Sequence, residues 1–402
     1  MTRYVCAPDS FKESLTAPQA AQAMAEGIRR GDPAAEIRLK PMADGGEGTA
    51  RALVDATHGV MRSVTVRDPL GRPVRGEYGL LGDGEDVAGG DVAGAAAGRT
   101  AVVETASASG LSRLAADERD PLVASSYGTG ELIRAAAHAG ATRIIVGLGG
   151  SATNDAGSGL LAALGVRLLD GSGRPLAPGG AALADLATID MSGLDEAVQQ
   201  AEIVAACDVT NPLTGPHGAS AVFGPQKGAS PADVERLDDA LARFARIASA
   251  TPGLAPALGE ATDFAASPGA GAAGGIGFAL LAFLGAKFRP GVDLVVEQSG
   301  LDAAVRWADV VLTGEGSVDA QTAFGKTPAG VASVAKRHGK PVVALAGHVG
   351  DGIDGLYGLG VDAVFGIAPG ASDLQTLLHG AAGNVSRTCE QVARLVARVR
   401  HG

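Results

Sequence analysis

The sequence is poor in aromatic residues and in cysteine, and each shortage limits what the protein can be. Aromatic residues make up 3% of the 402 positions while apolar residues make up 46%, so the core has to be built from Val, Leu and Ala. The three cysteines, Cys6, Cys207 and Cys389, lie far apart and lack metal-ligand spacing. They predict reduced thiols in the cytoplasm rather than a disulfide framework.

Long apolar runs and basic clusters are also missing. The longest apolar run, residues 277–286, is too short to cross a bilayer, and the first residues lack the apolar core of a signal peptide. The formal net charge is −11, and no basic patch with interleaved aromatic residues occurs. We therefore expect a soluble, cytoplasmic protein that binds neither membranes nor nucleic acid, and the sequence leaves a homo-oligomer open.

Short β-branched segments alternate with alanine-rich segments of helical spacing, which predicts an α/β fold with largely parallel sheets. Ser230-Pro231 and Thr327-Pro328 each place a capping hydroxyl before a proline, which is typical of a helix start. The predicted strands are residues 4–7, 36–39, 63–66, 101–104, 143–146, 203–206, 309–313, 342–346 and 362–365. The predicted helices begin near residues 18, 48, 122, 155, 231, 274, 328 and 374.

Two segments of biased composition interrupt this alternation. Residues 68–100 are rich in Gly and Asp, and residues 251–275 are rich in Pro, Gly and Ala. Composition predicts loops or linkers in both places. The two segments could bracket an inserted domain, in which case both ends of the chain share the other domain.

Polar, glycine-rich loops follow several of the predicted strands. Ligands of parallel α/β sheets bind at the carboxyl ends of the strands, where such loops meet. Several loops of this kind at one edge predict a binding site rather than turns alone. The loops have the sequences APDSFKESLTA, PMADGGEGTA, GLGGSATNDAGSG, CDVTNPLTGPHGASAVFGPQKGA and LTGEGSVDAQTAFGKTPAG.

The segment at residues 147–159, GLGGSATNDAGSG, carries the strongest signal. Its glycines allow backbone N–H groups to converge on an anion, and a helix beginning near Asn154 or Asp155 would add its positive end. Ser151 and Thr153 can donate to phosphate oxygens, and Asp155 could hold Mg²⁺. The alternative is that Asn154 or Asp155 only caps the helix.

A different function fits part of the same segment. Gly147, Gly149 and Ala152 match the dinucleotide-binding fingerprint, and Asp170 lies near the spacing expected for a ribose-binding acid. The short polar side chains that follow suit phosphate and metal better than the close helix–strand packing that a dinucleotide site needs. The fingerprint alone is therefore a weak signal.

Further charged residues lie in the other loops. Lys227 between glycines and Lys326 could each reach a phosphate, although a solvated loop lysine is an equal alternative for Lys326. Asp208 follows a strand directly, which suits a general base or a metal ligand, whereas an Asx turn with Asn211 is the simpler alternative. Ser10 and Lys12 are donors suited to a small carboxylate.

Two acidic loops predict a site for Mg²⁺. ADGGEG places Asp44 and Glu47 around glycines, and TGEG places Glu315 in a similar setting. Magnesium prefers oxygen ligands and keeps several of its waters, so that one or two carboxylates are enough.

Taken in order, these motifs resemble the type I glycerate kinase family, the bacterial glycerate 2-kinases. The resemblance covers nearly the whole chain. It rests on APDSFKESLTA, MADGGEGTA, SSYGTGELI, GLGGSATNDAGSG, CDVTNPLTGPHGASAVFGPQKGA, PGAGAAGG and LTGEGSVDAQTAFGKTPAGVA. Ala156 departs from the pattern, because glycine is expected there, and residues 82–98 look like an insertion within a strand pair.

The resemblance implies phosphorylation of D-glycerate by ATP and Mg²⁺, most simply to 2-phosphoglycerate. It also implies two different α/β domains, one Rossmann-like from residues 1–67 and 276–402, the other inserted at 68–275, with the active site in the cleft between them. Two alternatives stay open at this point, a dinucleotide-dependent hydroxy-acid dehydrogenase and an inactive ligand-sensing homologue.

Site roles follow from the resemblance and the loop chemistry together. Phosphoryl transfer needs phosphate donors, metal ligands and a clamp on the substrate. The expected catalytic residues are Asp44, Asp208 and Lys227, and the expected metal ligands are Asp44, Asp155 and Asp208. ATP is expected to contact Gly149, Gly150, Ser151, Thr153, Asn154, Glu315 and Lys326. The substrate is expected to contact Ser10, Lys12 and Asn211.

Overall fold

The computed structural model describes residues 1–43, 45–46, 48–82, 99–252, 254, 263–323 and 325–401. The strands are β1 (Arg3–Pro8), β2 (Glu36–Leu39), β3 (Val60–Arg67), β4 (Pro73–Leu80), β5 (Arg99–Glu104), β6 (Ala141–Gly147), β7 (Arg167–Asp170), β8 (Leu186–Asp190), β9 (Glu202–Ala206), β10 (Lys287–Arg289), β11 (Val310–Val318), β12 (Val342–Val349) and β13 (Ala363–Gly366). The helices are α1 (Ala17–Gly31), α2 (Thr49–Ala56), α3 (Ala106–Ser109), α4 (Tyr127–His138), α5 (Ser158–Ala163), α6 (Glu196–Gln200), α7 (Ala219–Phe223), α8 (Pro231–Ser249), α9 (Ala272–Leu284), α10 (Gly291–Ser299), α11 (Leu301–Trp307), α12 (Thr327–Arg337), α13 (Asp354–Leu359), α14 (Leu374–His379) and α15 (Ala381–His401).

The first sheet is parallel and has the order β13-β12-β11-β1-β2. β1 lies between β11 and β2. The connection from β1 to β2 and the connection from β11 to β12 therefore run in opposite directions across the sheet. Parallel sheets bind ligands where the strand order reverses in this way, at the carboxyl ends of the two strands. The loops after β1 and β11 therefore border a crevice.

The second sheet is mixed and has the order β10-β9-β6-β5-β4-β3. Strands β10, β9, β6 and β5 are parallel, whereas β3 and β4 pair antiparallel at the edge. β7 and β8 form a separate two-stranded sheet. The predicted α/β class is confirmed, and each predicted strand is present, with its start within three residues of the predicted one.

The two sheets share part of their core. Val5 and Ala7 of β1 belong to the same buried cluster as Val102, Ile145 and Val204 of the second sheet. A second cluster covers the other face of the first sheet with α1 and α15, and a third packs α4, α5, α8 and α9 on the second sheet. Small and branched side chains dominate these clusters, as the scarcity of aromatic residues predicted.

The chain changes sheets at positions other than the predicted borders. β3 lies before residue 68 and β10 lies after residue 275, yet both pair within the second sheet. β4 also replaces part of the loop predicted for residues 68–100. Residues 83–98 of the predicted insertion lie outside the described residues, and the strands on either side of them pair antiparallel. The division into two domains stays a prediction.

Several helix starts differ from the prediction for local reasons. Ser230 caps α8 as predicted, through a reciprocal capping box with Asp233. At α12 the helix already begins at Thr327, so its hydroxyl does not cap the helix but donates to Asp9 Oδ2 at 2.5 Å. α4 begins five residues after the predicted start at 122, at Tyr127. Among the described residues, no helix is both long and apolar enough to span a membrane.

Candidate active site

Strand register aligns the polar loops at one edge of each sheet. In the second sheet, Glu104, Gly147, Ala206 and Arg289 form one row across the ends of β5, β6, β9 and β10. In the first sheet, Pro8 of β1 pairs with Gly314 of β11. The loops after β1, β6, β9 and β11 are among those that the sequence singled out, so the predicted edge is present in both sheets, whereas the loops after β5 and β10 were not predicted.

Gly45 and Gly46, in the loop that follows β2 of the first sheet, approach loops of the second sheet at this edge. A Cβ atom built on Gly149 would lie 3.3 Å from Gly46 Cα, and one on Gly147 would lie 3.0 Å from the Gly45 carbonyl oxygen. Gly45 has φ +94°, and its Cβ would lie 2.7 Å from Gly291 Cα. Backbone therefore approaches backbone so closely here that side chains are excluded. Asp44 and Glu47 of this loop lie outside the described residues.

Burial increases sharply along residues 149–155. Gly150 is exposed and has φ +69°, a backbone conformation that favours glycine. Ser151 is 5% exposed, whereas Thr153, Asn154 and Asp155 are fully buried. Only the first part of this segment, from Gly149 to Ser151, can therefore meet a ligand directly, which narrows the set of phosphate contacts that the sequence predicted.

Lys227 is buried behind this segment. Its side chain is 2% exposed, and Nζ donates to Ser151 Oγ at 2.9 Å and to the Thr153 carbonyl oxygen at 2.7 Å. Burial lowers the pKa of Lys227 to about 7, although the Asp155 carboxylate acts in the opposite direction. The predicted direct contact between Lys227 and a phosphate does not fit this geometry, because the ammonium lies behind the loop and not at its surface.

Asp155 is also turned inward. Oδ2 accepts hydrogen bonds from the amide and hydroxyl of Ser126 at 2.8 Å each and from the Gly159 amide at 3.1 Å, and Oδ1 accepts from the Gly157 amide at 3.1 Å. Burial raises the pKa of this carboxyl, and these hydrogen bonds oppose the rise. Asp155 therefore serves an internal, structural role that ties Ser126 to the start of α5, although the N-cap of that helix is Gly157, and this inward geometry does not suit a metal ligand.

The helix expected at residue 155 is shorter and later than predicted. α5 begins at Ser158 and has six residues, so its N-terminus does not add a dipole to the segment at residues 149–151. Ala156 takes φ +51°, which explains why glycine was expected there. Asn154 is fixed inside, because its Nδ2 donates to Ser220 Oγ at 2.8 Å.

The dinucleotide alternative fails on the same geometry. Its fingerprint needs a helix that opens directly from the glycine motif, but α5 starts six residues beyond Ala152. Asp170, the expected ribose ligand, instead closes the turn between β7 and β8, where Oδ1 accepts from the amides of Ser172 at 2.8 Å and Arg174 at 2.9 Å. These hydrogen bonds lower the pKa of Asp170.

Asp208 lies where the two sheets meet. It follows β9, is exposed, and accepts a hydrogen bond on Oδ1 from the Gly291 amide at 3.0 Å, at the start of α10. A Cβ on Gly325 would lie 3.9 Å from the same oxygen, so the loop after β11 approaches it from the first sheet. Asn211 is used differently, because its Nδ2 donates to the His217 carbonyl at 2.9 Å and so closes a turn.

The loop between β11 and α12 brings further charged groups to the edge. Glu315 is 8% exposed and accepts a hydrogen bond from the Thr322 hydroxyl at 2.8 Å. Lys326 Nζ lies 3.9 Å from Glu315 Oε1 and its side chain stays partly exposed. Through Thr327, this loop is tied to Asp9 after β1. Because its side chain is partly exposed, Lys326 can contact a ligand at this edge.

Ser10 and Lys12 follow β1 at the same edge. Ser10 is partly buried beside Asp9, and its amide donates to Asp9 Oδ1 at 2.6 Å. Lys12 is exposed and lines a cavity of about 310 Å³ under α14 and the start of α15, which we call the apolar pocket. The apolar pocket is lined by Phe11, Lys12, Ser14, Gly316, Gly347, His348, Ile367, Ala368, Leu374, Leu377, Leu378, Ala381 and Asn384.

Glu104 is a residue that sequence reasoning missed. Its Oε1 accepts from the Ala50 amide at 2.6 Å and its Oε2 from the Gly48 amide at 3.2 Å, so it caps α2 and holds the end of the loop at 43–48. It also lines a cavity of about 340 Å³, the polar pocket, together with Arg51, Glu77 and Arg113. Its position at the end of β5 was the signal that could have found it.

A protein-only metal centre is not formed by the described residues. Within the ranges that the structure covers, no three His, Cys, Asp or Glu side chains are grouped so that they could hold a metal ion. Asp208 and Glu315 are two of the described carboxylates at the edge, beside Asp9 and Glu104, which hold Thr327 and the start of α2. A metal that needs only one or two protein carboxylates fits this arrangement, and a closed structural site does not.

Comparison with known proteins places this geometry in context. The sequence model of the glycerate kinase family matches residues 4–397. Glycerate kinase of Bacillus subtilis (strain 168) is 48% identical over 391 residues, which cover 97% of each chain. Glycerate 2-kinase of Escherichia coli (strain K12) is 44% identical over 395 residues, which cover 98% of each chain. A crystal structure of a protein assigned as glycerate kinase 2 in Salmonella typhimurium LT2 matches with a TM-score of 0.86 and 45% identity, over 100% of both chains.

Proposed function

The chain belongs to the glycerate kinase family, and we propose that it transfers the γ-phosphoryl group of ATP to the 2-hydroxyl of D-glycerate. The family predicted from the ordered motifs is thereby confirmed, and so is the prediction of an ATP-dependent glycerate kinase. Neither the dehydrogenase nor the inactive ligand-sensing protein is supported by the relatives.

One observation carries the assignment of the site. A continuous set of close backbone approaches runs from Gly149 to Gly46 and from Gly45 to Gly291; the Gly291 amide is bonded to Asp208, and Gly325 lies near the same carboxylate. This path joins loops of both sheets at their carboxyl edges. Phosphoryl transfer depends mainly on positioning and on charge stabilisation, and a junction of glycine loops with flanking Lys and Asp residues supplies both.

The backbone at Gly149, Gly150 and Ser151, which is most exposed at Gly150, is the proposed contact for the transferred phosphoryl group. Amide donors in a left-handed turn converge on an anion, and Gly150 has that conformation. Lys326, partly exposed at the start of α12, supplies a positive charge from the other sheet. The phosphoryl group would then lie between the two sheets, as expected for a site in a cleft.

Lys227 is proposed as a positioning residue. It reaches the phosphate only through Ser151 and Thr153, whose oxygen atoms it holds. Thr153, Asn154 and Asp155 act in the same way, because each is fully buried and supports the loop from behind. This assignment replaces the direct contacts that the sequence suggested for these residues.

Asp208 is the proposed group beside the acceptor hydroxyl. An exposed carboxylate at a strand end can orient that hydroxyl and accept its proton as the new bond forms. The hydrogen bond from the Gly291 amide fixes one oxygen and leaves the carboxylate directed by a rigid helix start. Ser10 keeps its proposed place near the substrate carboxylate.

Magnesium is proposed to arrive with the nucleotide. The donor set suits it, since Asp208 and Glu315 offer carboxylate oxygens and the described residues offer no closed cage. When bound, the ion would neutralise charge that develops on the phosphate oxygens. Asp44, the other expected ligand, lies outside the described residues, and its role stays a prediction.

The reducing, cytoplasmic location is proposed from the cysteines. All three are free thiols. Burial raises the pKa of Cys6 to about 12 and raises that of Cys389 well above its ordinary value. Buried, protonated thiols of this kind are inert packing groups, which suits a protein that keeps its cysteines reduced.

The regiochemistry follows from the way a carboxylate clamp positions its substrate. The 2-hydroxyl is on the carbon that bears the carboxylate, so holding the carboxylate also holds this hydroxyl. The 3-hydroxyl has an additional rotatable bond and needs a hydrogen bond of its own. Presenting the 2-hydroxyl therefore requires less ordering.

A coupled assay tests both the activity and the regiochemistry. Purified protein is incubated with D-glycerate, ATP and Mg²⁺, and the product is passed through enolase, pyruvate kinase and lactate dehydrogenase without added phosphoenolpyruvate. Enolase accepts 2-phosphoglycerate but not its 3-isomer, so glycerate-dependent oxidation of NADH is the expected result. If NADH is oxidised only after phosphoglycerate mutase is added, the product is 3-phosphoglycerate and the regiochemical proposal is wrong.

A further inference from the structure

The apolar pocket lies apart from residues 149–151, which we call the phosphate loop, but opens at the carboxyl edge of the first sheet. Its floor is formed by Gly316 of β11, Gly347 of β12 and Ile367 after β13, and its roof by α14 and the start of α15. Arg387 holds this roof in place, because its guanidinium donates to the Ile367 carbonyl oxygen at 3.0 Å. The pocket is thus a fixed part of the carboxyl edge.

Two glycines allow the backbone that forms its floor to pack closely. A Cβ on Gly347 would lie 2.6 Å from the Gly316 carbonyl oxygen, and one on Gly316 would lie 3.0 Å from the Lys12 amide nitrogen. Side chains at these positions would force the strands and the β1 loop apart. The loop after β1 and the ends of β11 and β12 can therefore pack closely and still leave a cavity above them.

The lining of this cavity has the character of a site for a flat, largely apolar ring. Phe11, Ile367 and Leu377 supply apolar surface, while His348 and Asn384 add polar groups at the same cavity. Its volume of about 310 Å³ lies at the lower end of the range for small-molecule sites. Leu374 at its border is 63% exposed, so a ligand there would cover an otherwise solvated leucine.

We propose that the apolar pocket holds the nucleobase of ATP. This inference rests on the proposed kinase function, since it names the place of the nucleotide in the same site. A base in the pocket would direct its ribose and phosphates past Lys12 and Gly316, which adjoins Glu315, toward Lys326 and the loop at Gly149. The triphosphate would then bridge from the first sheet to the junction of the loops.

The polar pocket is another cavity near the edge, and it suits a base less well. It is lined by Arg51, Glu77, Glu104 and Arg113, whose charges would have to be desolvated by an apolar ring. Glu104 is also engaged in capping α2. The chemistry of this lining favours a small polar or anionic ligand.

The placement changes the role of Lys12. Sequence analysis assigned it to the glycerate carboxylate, but in the structure it lines the apolar pocket. With the base in the apolar pocket, Lys12 would lie close to the phosphates of the bound nucleotide. Lys12 is therefore assigned to the nucleotide, and Ser10 alone remains with the substrate.

The experiment compares two ligands that differ in the presence of the base. ADP and inorganic triphosphate are titrated by calorimetry into the full chain and into Leu374→Ala and Leu377→Ala. Loss of apolar contact with the base should weaken ADP binding on the order of fivefold in Leu377→Ala, and less in Leu374→Ala. Binding of inorganic triphosphate should stay within about twofold of wild type in both variants, because this ligand makes no contact with either leucine.

Leu395→Ala is the matched control. Leu395 is 64% exposed on α15, close to the 63% of Leu374, and does not line the pocket. It should leave the binding of both ligands unchanged. Equal weakening of both ligands in Leu377→Ala, or unchanged ADP binding, would overturn the proposal.

A photoaffinity label gives an independent location. 8-Azido-ADP is irradiated with the full chain, and labelled peptides are identified by mass spectrometry, with ADP as competitor. Labelling within residues 11–14 or 374–384 is expected, whereas ADP-protected labelling within residues 104–113 would move the base to the polar pocket and overturn the proposal. Neither measurement depends on glycerate, so a failure of the proposed kinase function would show separately, as a lack of glycerate-dependent ATP consumption.

Discussion

The ammonium nitrogen of Lys227 lies 2.9 Å from the hydroxyl oxygen of Ser151 and is almost completely buried. A second hydrogen bond joins it to the Thr153 carbonyl oxygen at 2.7 Å. The Lys227 ammonium is too deeply buried to contact a ligand. Its two hydrogen bonds instead hold Ser151 and Thr153, at the end of the turn that can contact one. The lysine thus acts through the shape of the loop, and its effects should appear both in stability and in catalysis.

Stability should depend on pH through Lys227. Burial lowers its pKa to about 7, whereas the unfolded chain keeps an ordinary lysine, so between about pH 7 and pH 10 the unfolded state binds one more proton. The free energy of unfolding should therefore rise with pH in this window. Replacing the lysine in Lys227→Met should remove up to about 1.4 kcal/mol per pH unit from that slope.

Urea denaturation of both proteins at pH 7, 8 and 9 measures the slopes. Lys287→Met, at an exposed lysine paired with Glu202, serves as the control and should keep the wild-type slope. If Lys227→Met and wild type rise in parallel, Lys227 carries its proton in the folded state and its pKa is not depressed.

Asp208→Asn should reduce kcat while folding is retained. Asparagine keeps the size of the side chain and can still accept the hydrogen bond from the Gly291 amide, but it lacks the charge. Loss of a positioned base costs about 10²–10⁴-fold in rate, or about 3–5 kcal/mol of barrier. Steady-state kinetics with saturating ATP and glycerate measure the change.

Asp117→Asn makes the same substitution at an exposed aspartate away from the loops and should leave kcat unaltered. A kcat for Asp208→Asn within about threefold of wild type would reduce Asp208 to a turn residue, on the scale by which each 1.36 kcal/mol changes the rate about tenfold.

Gly150→Ala should impair catalysis through backbone strain. Gly150 has φ +69°, and its Cβ would also lie 3.3 Å from Ala106 Cβ. A left-handed conformation costs a non-glycine residue about 1–2 kcal/mol, so we expect kcat/KM for ATP to fall about tenfold. Gly171→Ala is the control, because a Cβ there meets nothing within 4 Å and its φ is not positive.

Asparagine tolerates the left-handed region better than alanine, so Gly150→Asn should lose less activity than Gly150→Ala. The same measurement of kcat/KM covers all three variants. Equal losses in Gly150→Ala and Gly171→Ala would show that the conformation at Gly150 is not required.

Lys12→Ala should raise KM for ATP more than KM for glycerate. Its side chain borders the proposed base pocket, so loss of its charge removes a contact to the nucleotide phosphates. Initial rates with each substrate varied in turn separate the two constants, and Lys287→Ala serves as the control. A rise confined to KM for glycerate would restore the assignment that the sequence alone suggested.

The sequence predicted the central strands, and the loops at their carboxyl ends, better than the strands near the margin of a sheet. Buried strands such as β6 and β11 were visible as β-branched runs, and the loops behind them were visible as glycine clusters. β10 has only three residues. β4 contains two buried glycines and two charged residues, Arg75 and Glu77, so neither strand gives a clear periodic pattern of apolar residues. Such strands form because neighbouring strands offer hydrogen-bond partners, and their own residues do not show a strand pattern.

Roles within the site depended on burial, which the sequence does not contain. A loop aspartate can cap a helix or bind a metal, and Asp155 was open to both until its oxygens were seen to accept internal hydrogen bonds. The sequence likewise did not decide whether Lys227 contacts a phosphate directly or holds the loop from behind. Glu104 was missed because its partners, the amides of Gly48 and Ala50, are more than fifty residues away in the chain.

The position of β1 between β2 and β11 has a consequence for biosynthesis. Ala7 and Thr313 are joined by a hydrogen bond across 306 residues of chain, so β1 leaves the ribosome long before its central neighbour exists. At ordinary rates of translation, that interval is roughly 15 to 60 s. During it, the strands of the second sheet, all of which precede β11, can pair among themselves, whereas β1 can pair only with β2 and lacks its central neighbour. The nascent chain should therefore complete the second sheet first and expose β1 to chaperones until β11 has emerged.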